Sequence, residues 1–168
     1  MGSPMRNTFI LMLLANVVVT LVSLVVLPDR VAIHYGADGI ANGWASKTMN
    51  ALLLTGTHVF LFGLLYFSAR LVGLLPASCI NLPNKEYWLN PANMPKTQEK
   101  LQYFMWQFGA AIFLFFLVVG LLSIQANLVS PVRLNLQVLF PVFGLFLLYT
   151  IGWIIAFYRA FRISNSRK

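Results

Sequence analysis

Four long apolar runs constrain the fold of this chain more than any other feature. They cover residues 8–27, 50–75, 101–124 and 136–161, and none of them contains an Asp or a Glu. About 20 helical residues cross a hydrocarbon core of roughly 30 Å, and a helix satisfies its own backbone hydrogen bonds in lipid. The sequence therefore predicts an all-α, polytopic membrane protein: one domain over residues 1–168, built as a four-transmembrane-helix bundle.

The composition is also typical of an integral membrane protein. Hydrophobic residues make up 59% of the sequence and charged residues 10%, whereas soluble domains average about 25% charged residues. The net charge of +8 is carried at the ends of the apolar runs rather than along one helix face, so the lipid bilayer is the expected partner and nucleic acid is not. Cys79 is the only cysteine, which excludes an intramolecular disulfide.

The basic residues predict the orientation of the helices. The connecting segments are an outer loop over residues 28–48, an inner loop over 76–100, an outer turn over 125–135 and a basic tail over 162–168. Cytoplasmic segments are enriched in Lys and Arg. We therefore expect both termini in the cytoplasm, on the side that carries Arg6, Arg70, Lys85, Lys96, Lys100, Arg159, Arg162, Arg167 and Lys168, opposite Arg30, Lys47 and Arg133.

A few polar and small residues interrupt the apolar runs. Asn16, Thr20 and Ser23 share one helix face by their spacing and are expected to face other helices, as interhelical hydrogen-bonding groups or as the lining of a ligand site. His58 is expected to face the bundle interior, either as a neutral imidazole bonded to a neighbour or with a metal, proton or ligand role. Gly109 and the pair Gly144 and Gly152 predict close helix contacts.

The loop between the first two runs is richer than a simple connection requires. Pro28 ends the first helix, and the glycines at positions 36, 39 and 43 supply turn conformations. Tyr35 and Trp44 are aromatic residues of the kind found at membrane–water boundaries. We therefore predict an ordered extracytoplasmic loop between helices 1 and 2.

This loop carries a family resemblance. Leu27-Pro28, His34-Tyr35-Gly36, Gly39, Gly43-Trp44 and Lys47 resemble the signature of the SdpI-like bacterial membrane proteins, a domain of unknown function. A second stretch resembles an inner-loop motif of smaller members, through Asn81, Pro83, Asn84, Lys85, Tyr87 and Trp88. The resemblance implies a bacterial plasma-membrane location. The member that gives the family its name protects the cell against a secreted antimicrobial peptide and signals the presence of that peptide.

Three functional hypotheses follow. The first is a binding protein with an immunity or sensing role, which holds a hydrophobic or antimicrobial peptide, or a small ligand, through His34, Tyr35, Asp38, Trp44, Lys47 and His58. The second is a metal-dependent membrane enzyme that uses His34 and Asp38, with His58 as a further ligand. The third is a scaffold subunit that binds a membrane or cytoplasmic protein partner through its inner loop. No catalytic residue and no cofactor are predicted, because the sequence contains no known catalytic motif.

Overall fold

The computed structural model describes residues 4–163, and four long helices dominate it. Each of the four is long and apolar enough to cross a membrane, which confirms the predicted four-helix architecture. The last five residues of the predicted basic tail, including Arg167 and Lys168, lie outside the described residues. In chain order the elements are α1 (Pro4–Val26), β1 (Arg30–Tyr35), β2 (Ala41–Ser46), α2 (Lys47–Leu71), α3 (Lys85–Trp88), α4 (Met94–Asn127) and α5 (Leu136–Phe161).

Helix α4 is the centre of the bundle. It packs against α1, α2 and α5, whereas α1 and α2 also pack against each other and α5 contacts mainly α4. With 34 residues, α4 extends beyond the predicted span 101–124 at both ends. Its early start is compatible with Pro95, because proline is tolerated in the first turn of a helix, where its missing N–H has no partner to lose.

The close approach of α1 to α4 occurs where a small residue was predicted to allow it. Phe9 of α1 is fully buried and lies over Gly109, so that a Cβ at position 109 would come within 2.3 Å of the Phe9 ring. The same ring stacks on Phe113, with 5.5 Å between the ring centroids, and on Phe62 of α2. These rings join three helices into one apolar core.

The segment between α1 and α2 forms a β-hairpin, which the sequence analysis described only as an ordered loop. Arg30 pairs with Ser46, and Ala32 pairs with Trp44, in an antiparallel register with a bulge near His34. Gly39 adopts a φ of +81° in the turn, a conformation that glycine adopts without strain. The class is therefore mostly helical with one small sheet. We call the part of the bundle that carries this hairpin the hairpin end, and the part that carries α3 the α3 end.

Candidate functional site

A cavity of about 310 Å³ lies beneath the hairpin, between α1, α2 and α4. Its walls are largely apolar, and within residues 4–163 no Asp, Glu, Lys or Arg lines it. The polar residues that line it are Asn16, Thr20, Ser23, Tyr35, Asn50, Thr57, His58 and Ser123.

The α1 wall of the cavity is the polar stripe predicted from the sequence. Asn16, Thr20 and Ser23 are all buried, which confirms that this face turns toward other helices. Asn16 Nδ2 donates to the carbonyl of Met12 in its own helix at 2.8 Å and to that of Phe113 in α4 at 2.7 Å. Asn16 therefore bonds α1 to α4, and the stripe as a whole lines the cavity.

His58 lies at the deep end of the cavity. Its side chain is only 5% exposed, and its ring meets Phe113 and Phe116 with 5.7 Å between centroids in each case. His58 Nδ1 is one of three buried side-chain polar atoms in the described part of the chain that lack a hydrogen-bond partner. The histidine thus faces the bundle interior as predicted, but no neighbour satisfies this ring nitrogen.

The deep end is far from the hairpin. His58 is the twelfth residue of α2, so at 1.5 Å per residue it lies about 16 Å along the helix from its start. Asn16 lies ten residues before the end of α1, which is about 15 Å by the same measure. Half of a hydrocarbon core is about 15 Å thick. The cavity therefore extends about 15 Å from the hairpin, a length equal to half the thickness of a hydrocarbon core.

Asn127, at the end of α4, fixes the hairpin over the cavity. Asn127 Oδ1 accepts from the backbone N–H of Ala32 at 2.7 Å, and its Nδ2 donates to the Ala32 carbonyl at 3.2 Å and to the Tyr35 hydroxyl at 3.1 Å. Burial raises the pKa of Tyr35 above its ordinary value. Sequence analysis did not identify Asn127, and its only signal was an isolated Asn at the end of a long apolar run.

His34 and Asp38, the residues predicted as a metal pair, each form a side-chain hydrogen bond to a different residue of the hairpin. His34 Nδ1 bonds to Asn42 Oδ1 across the hairpin, and Asp38 Oδ1 accepts from the backbone N–H of Ile40 at 3.0 Å. Among residues 4–163, no three His, Cys, Asp or Glu side chains lie together in a group that could hold a metal ion. Both side chains therefore stabilise the turn.

Trp44 lies on the hairpin and Lys47 begins α2, and neither residue lines the cavity. Lys47 Nζ pairs with Asp29 Oδ1 at 3.1 Å and donates to the Leu27 carbonyl at 3.3 Å. Trp44 is 41% exposed, and the guanidinium of Arg30 lies 5.8 Å from its ring centroid. Of the six predicted binding residues, only Tyr35 and His58 line the cavity.

The inner-loop motif forms an ordered cap at the α3 end. Trp88 is buried, and its Nε1 donates to the carbonyl of Phe161, the last residue of α5, at 2.7 Å. Lys100 Nζ donates to the neighbouring carbonyl of Ala160 and lies 4.6 Å from the Trp88 ring centroid. These two donors hold the end of α5 against α3 and α4.

The other motif residues shape this cap. Asn84 adopts a left-handed conformation (φ 53°) just before α3, Lys85 Nζ donates to the Ala77 carbonyl at 3.4 Å, and the Tyr87 carbonyl accepts from Asn93 Nδ2 at 2.9 Å. Asn81 and Lys85 also line an open surface pocket, together with Tyr87. Pro83 lies in the turn that leads into α3.

The fold and the site together define a polytopic helical-bundle protein whose hairpin covers a largely apolar cavity between three helices. Within this class, residues 11–57 match a family model described as a domain of unknown function (DUF1648). The matched stretch contains most of α1, the whole hairpin and the first part of α2, and it ends one residue before His58. No curated protein and no solved structure matches the chain.

Proposed function

We propose that this chain is an SdpI-like membrane binding protein that holds part of a hydrophobic peptide, or a small amphipathic ligand, beneath its hairpin. Its role is immunity or sensing at the bacterial plasma membrane, with the hairpin outside and both termini in the cytoplasm. One observation carries the proposal: the hairpin covers a cavity that contains a buried histidine with an unpartnered ring nitrogen.

The size and chemistry of the cavity support a ligand. Ligand pockets typically measure about 300–1,000 Å³ and combine apolar walls with a few polar groups. A buried polar atom without a partner costs about 1–3 kcal/mol. His58 provides a polar ring at the deep end of a largely apolar cavity, and a ligand that bonds to the accessible part of this ring gains an oriented contact there.

The hairpin supports approach from the membrane surface. Trp44 and Ile40 are exposed on it, and Arg30 lies beside the Trp44 ring. Aromatic side chains provide large contact areas at a small entropic cost. A hydrophobic peptide arriving at the bilayer would meet this surface first and place one side chain into the cavity behind it.

The two alternative functions have less geometric support. A metal-dependent enzyme needs ligands beyond His34 and Asp38, and these two side chains bond to the hairpin itself. A scaffold role through the inner loop would have to use the exposed part of the α3 end, since Trp88 is occupied by its contact with α5.

The test is protection of living cells. We expect expression in a peptide-sensitive Gram-positive bacterium to raise the inhibitory concentration of at least one member of a panel of membrane-active peptides. His58→Leu, which alters the deep end of the cavity, and Trp44→Ala, which truncates the hairpin surface, should each reduce this protection. The readout is growth inhibition at equal amounts of inserted protein.

Thr150→Val is the matched control, because Thr150 bonds to the Phe146 carbonyl of its own helix and does not line the cavity. It should protect as well as the unaltered chain. Full protection by both His58→Leu and Trp44→Ala would refute the proposal.

A further inference from the structure

The hydrogen-bond donors of the cavity's α1 wall are already used within the protein. Thr20 Oγ1 donates to the Asn16 carbonyl at 2.9 Å, and Ser23 Oγ donates to the Thr20 carbonyl at 2.7 Å. Both amide protons of Asn16 are also used, one within α1 and one toward α4. A hydroxyl has one proton to donate, and an amide nitrogen has two. This wall therefore has no donor left for a ligand.

Acceptors remain on the same wall. Each hydroxyl oxygen keeps lone pairs after its proton is used, and the Asn16 amide oxygen accepts as well. His58 Nδ1 is buried away from the cavity, so the ring nitrogen that a ligand can reach is Nε2, which is an acceptor when the imidazole proton is on Nδ1. The deep half of the cavity thus presents acceptors from two helices, α1 and α2.

The exception lies near the hairpin. Asn50 lines the cavity, and its side-chain amide carries two protons that can be donated. It precedes His58 by eight residues, which is about 12 Å along α2. Donors are therefore available at the rim of the cavity, and acceptors at its deep end.

We propose that the deep end selects an uncharged, mainly apolar group that carries one N–H or O–H donor, with indole and phenol as the model chemistries. This inference rests on the binding role proposed above and specifies what the site binds. A charged group is disfavoured, because no opposite charge lines the cavity. The volume suits a bicyclic ring, since an engineered cavity of about 150 Å³ in another protein already binds benzene.

The experiment compares two probes that differ in one donor. The full chain in phospholipid nanodiscs is titrated with indole and with 1-methylindole, and empty nanodiscs correct for partition into lipid. One hydrogen bond changes affinity by a few-fold to about tenfold. We therefore expect indole to bind more tightly than 1-methylindole by that factor.

Two threonine variants assign the preference to the cavity. Thr20 and Thr150 each bond to the carbonyl four residues earlier in their own helices, but only Thr20 lines the cavity. Thr20→Val should reduce the preference for indole, and Thr150→Val should leave it unchanged. His58→Leu should weaken indole more than 1-methylindole. A preference that survives both Thr20→Val and His58→Leu would contradict the assignment.

The outcomes separate this inference from the function it rests on. Equal affinities for the two probes would overturn donor selection and leave a binding cavity in place. Binding of neither probe above the empty nanodiscs would overturn the inference, while the protection assay still decides the immunity role. Displacement of indole by a tryptophan-containing hydrophobic peptide would support a peptide side chain as the natural occupant; without displacement, the donor preference would support a free small molecule.

Discussion

At the scale of single residues, the polar side chains that line the cavity differ in their hydrogen-bond partners. Thr20 and Ser23 donate to carbonyls of their own helix, whereas Asn16 also donates to a carbonyl of another helix. His58 is equally buried, yet its Nδ1 has no partner. Unsatisfied buried groups are rare in folded proteins and often mark a functional site.

This difference predicts that His58 lowers the free energy of unfolding of the ligand-free protein while it contributes to ligand binding. Replacing a buried unsatisfied group by an apolar one of similar size removes its desolvation cost, so His58→Leu should stabilise the free protein by about 1 kcal/mol. Thermal unfolding in detergent, without ligand, measures the change. Asn16→Leu is the contrasting variant and should destabilise the protein, because the Asn16 bond to the Phe113 carbonyl is lost. Marked destabilisation by His58→Leu would mean that the imidazole has a structural partner.

At the scale of elements, the hairpin is fixed by one side chain of a distant helix. Asn127 lies 95 residues from Ala32 in sequence, and it bonds to both the N–H and the carbonyl of that residue. A second bond joins the hairpin turn to the segment before α5, since the backbone N–H of Leu134 donates to the Gly39 carbonyl at 2.9 Å. The cover of the cavity thus depends on α4 and on the segment before α5.

Removing the Asn127 side chain should loosen this cover. Asn127→Ala leaves the buried N–H of Ala32 without its partner, at a cost of about 1–3 kcal/mol, and leaves the Ala32 carbonyl with only the long bond from the Tyr35 hydroxyl at 3.5 Å. We expect faster amide hydrogen exchange in β1 and β2 and unchanged exchange in the middle of α4. Asn90→Ala, which removes only a local bond to the Ala92 N–H, is the control. Unchanged exchange in the hairpin would show that strand pairing alone holds it.

The glycines of α5 differ from Gly109 at the same scale. A Cβ at Gly144 or Gly152 would meet nothing within 4 Å. The predicted close contact of these two glycines is therefore not made within the described chain. Helix α5 contacts mainly α4, and none of its membrane-crossing stretch is buried.

At the scale of the whole molecule, the two ends of the bundle differ in structure. The hairpin end carries the cavity and its cover, whereas the α3 end holds the last turn of α5 through Trp88 and Lys100. With four membrane-crossing helices, the two described chain ends share the α3 end. The proposed topology places that end, with most of the basic residues, in the cytoplasm.

The single cysteine provides a direct test of this topology. Cys79 is exposed at the α3 end, and Ile40 is exposed in the hairpin turn. In intact cells, a membrane-impermeant maleimide should label Ile40→Cys in a Cys79→Ser background and should not label Cys79 in the unaltered chain. After permeabilisation both should react. Labelling of Cys79 in intact cells would invert the orientation and remove the basis for a ligand arriving from outside.

The sequence by itself determined the four helices and the inward direction of the polar groups. Long runs without acidic residues have few alternatives to membrane helices, and the spacing of Asn16, Thr20 and Ser23 assigns them to one face. His58 was predicted to face inward for the same reason, because an exposed imidazole is costly in lipid. These properties depend on composition and local periodicity, which a sequence contains directly.

Only the tertiary structure decided how the helices and strands contact one another. The pairing of β1 with β2, the bond from Asn127 to Ala32 and the assembly of one cavity from α1, α2 and α4 all join residues far apart in the chain. The hydrogen bonds of His34 and Asp38 within the hairpin likewise follow from how the turn folds. Such contacts depend on how the helices pack. The spacing of side chains along one helix does not specify which other helix packs against it.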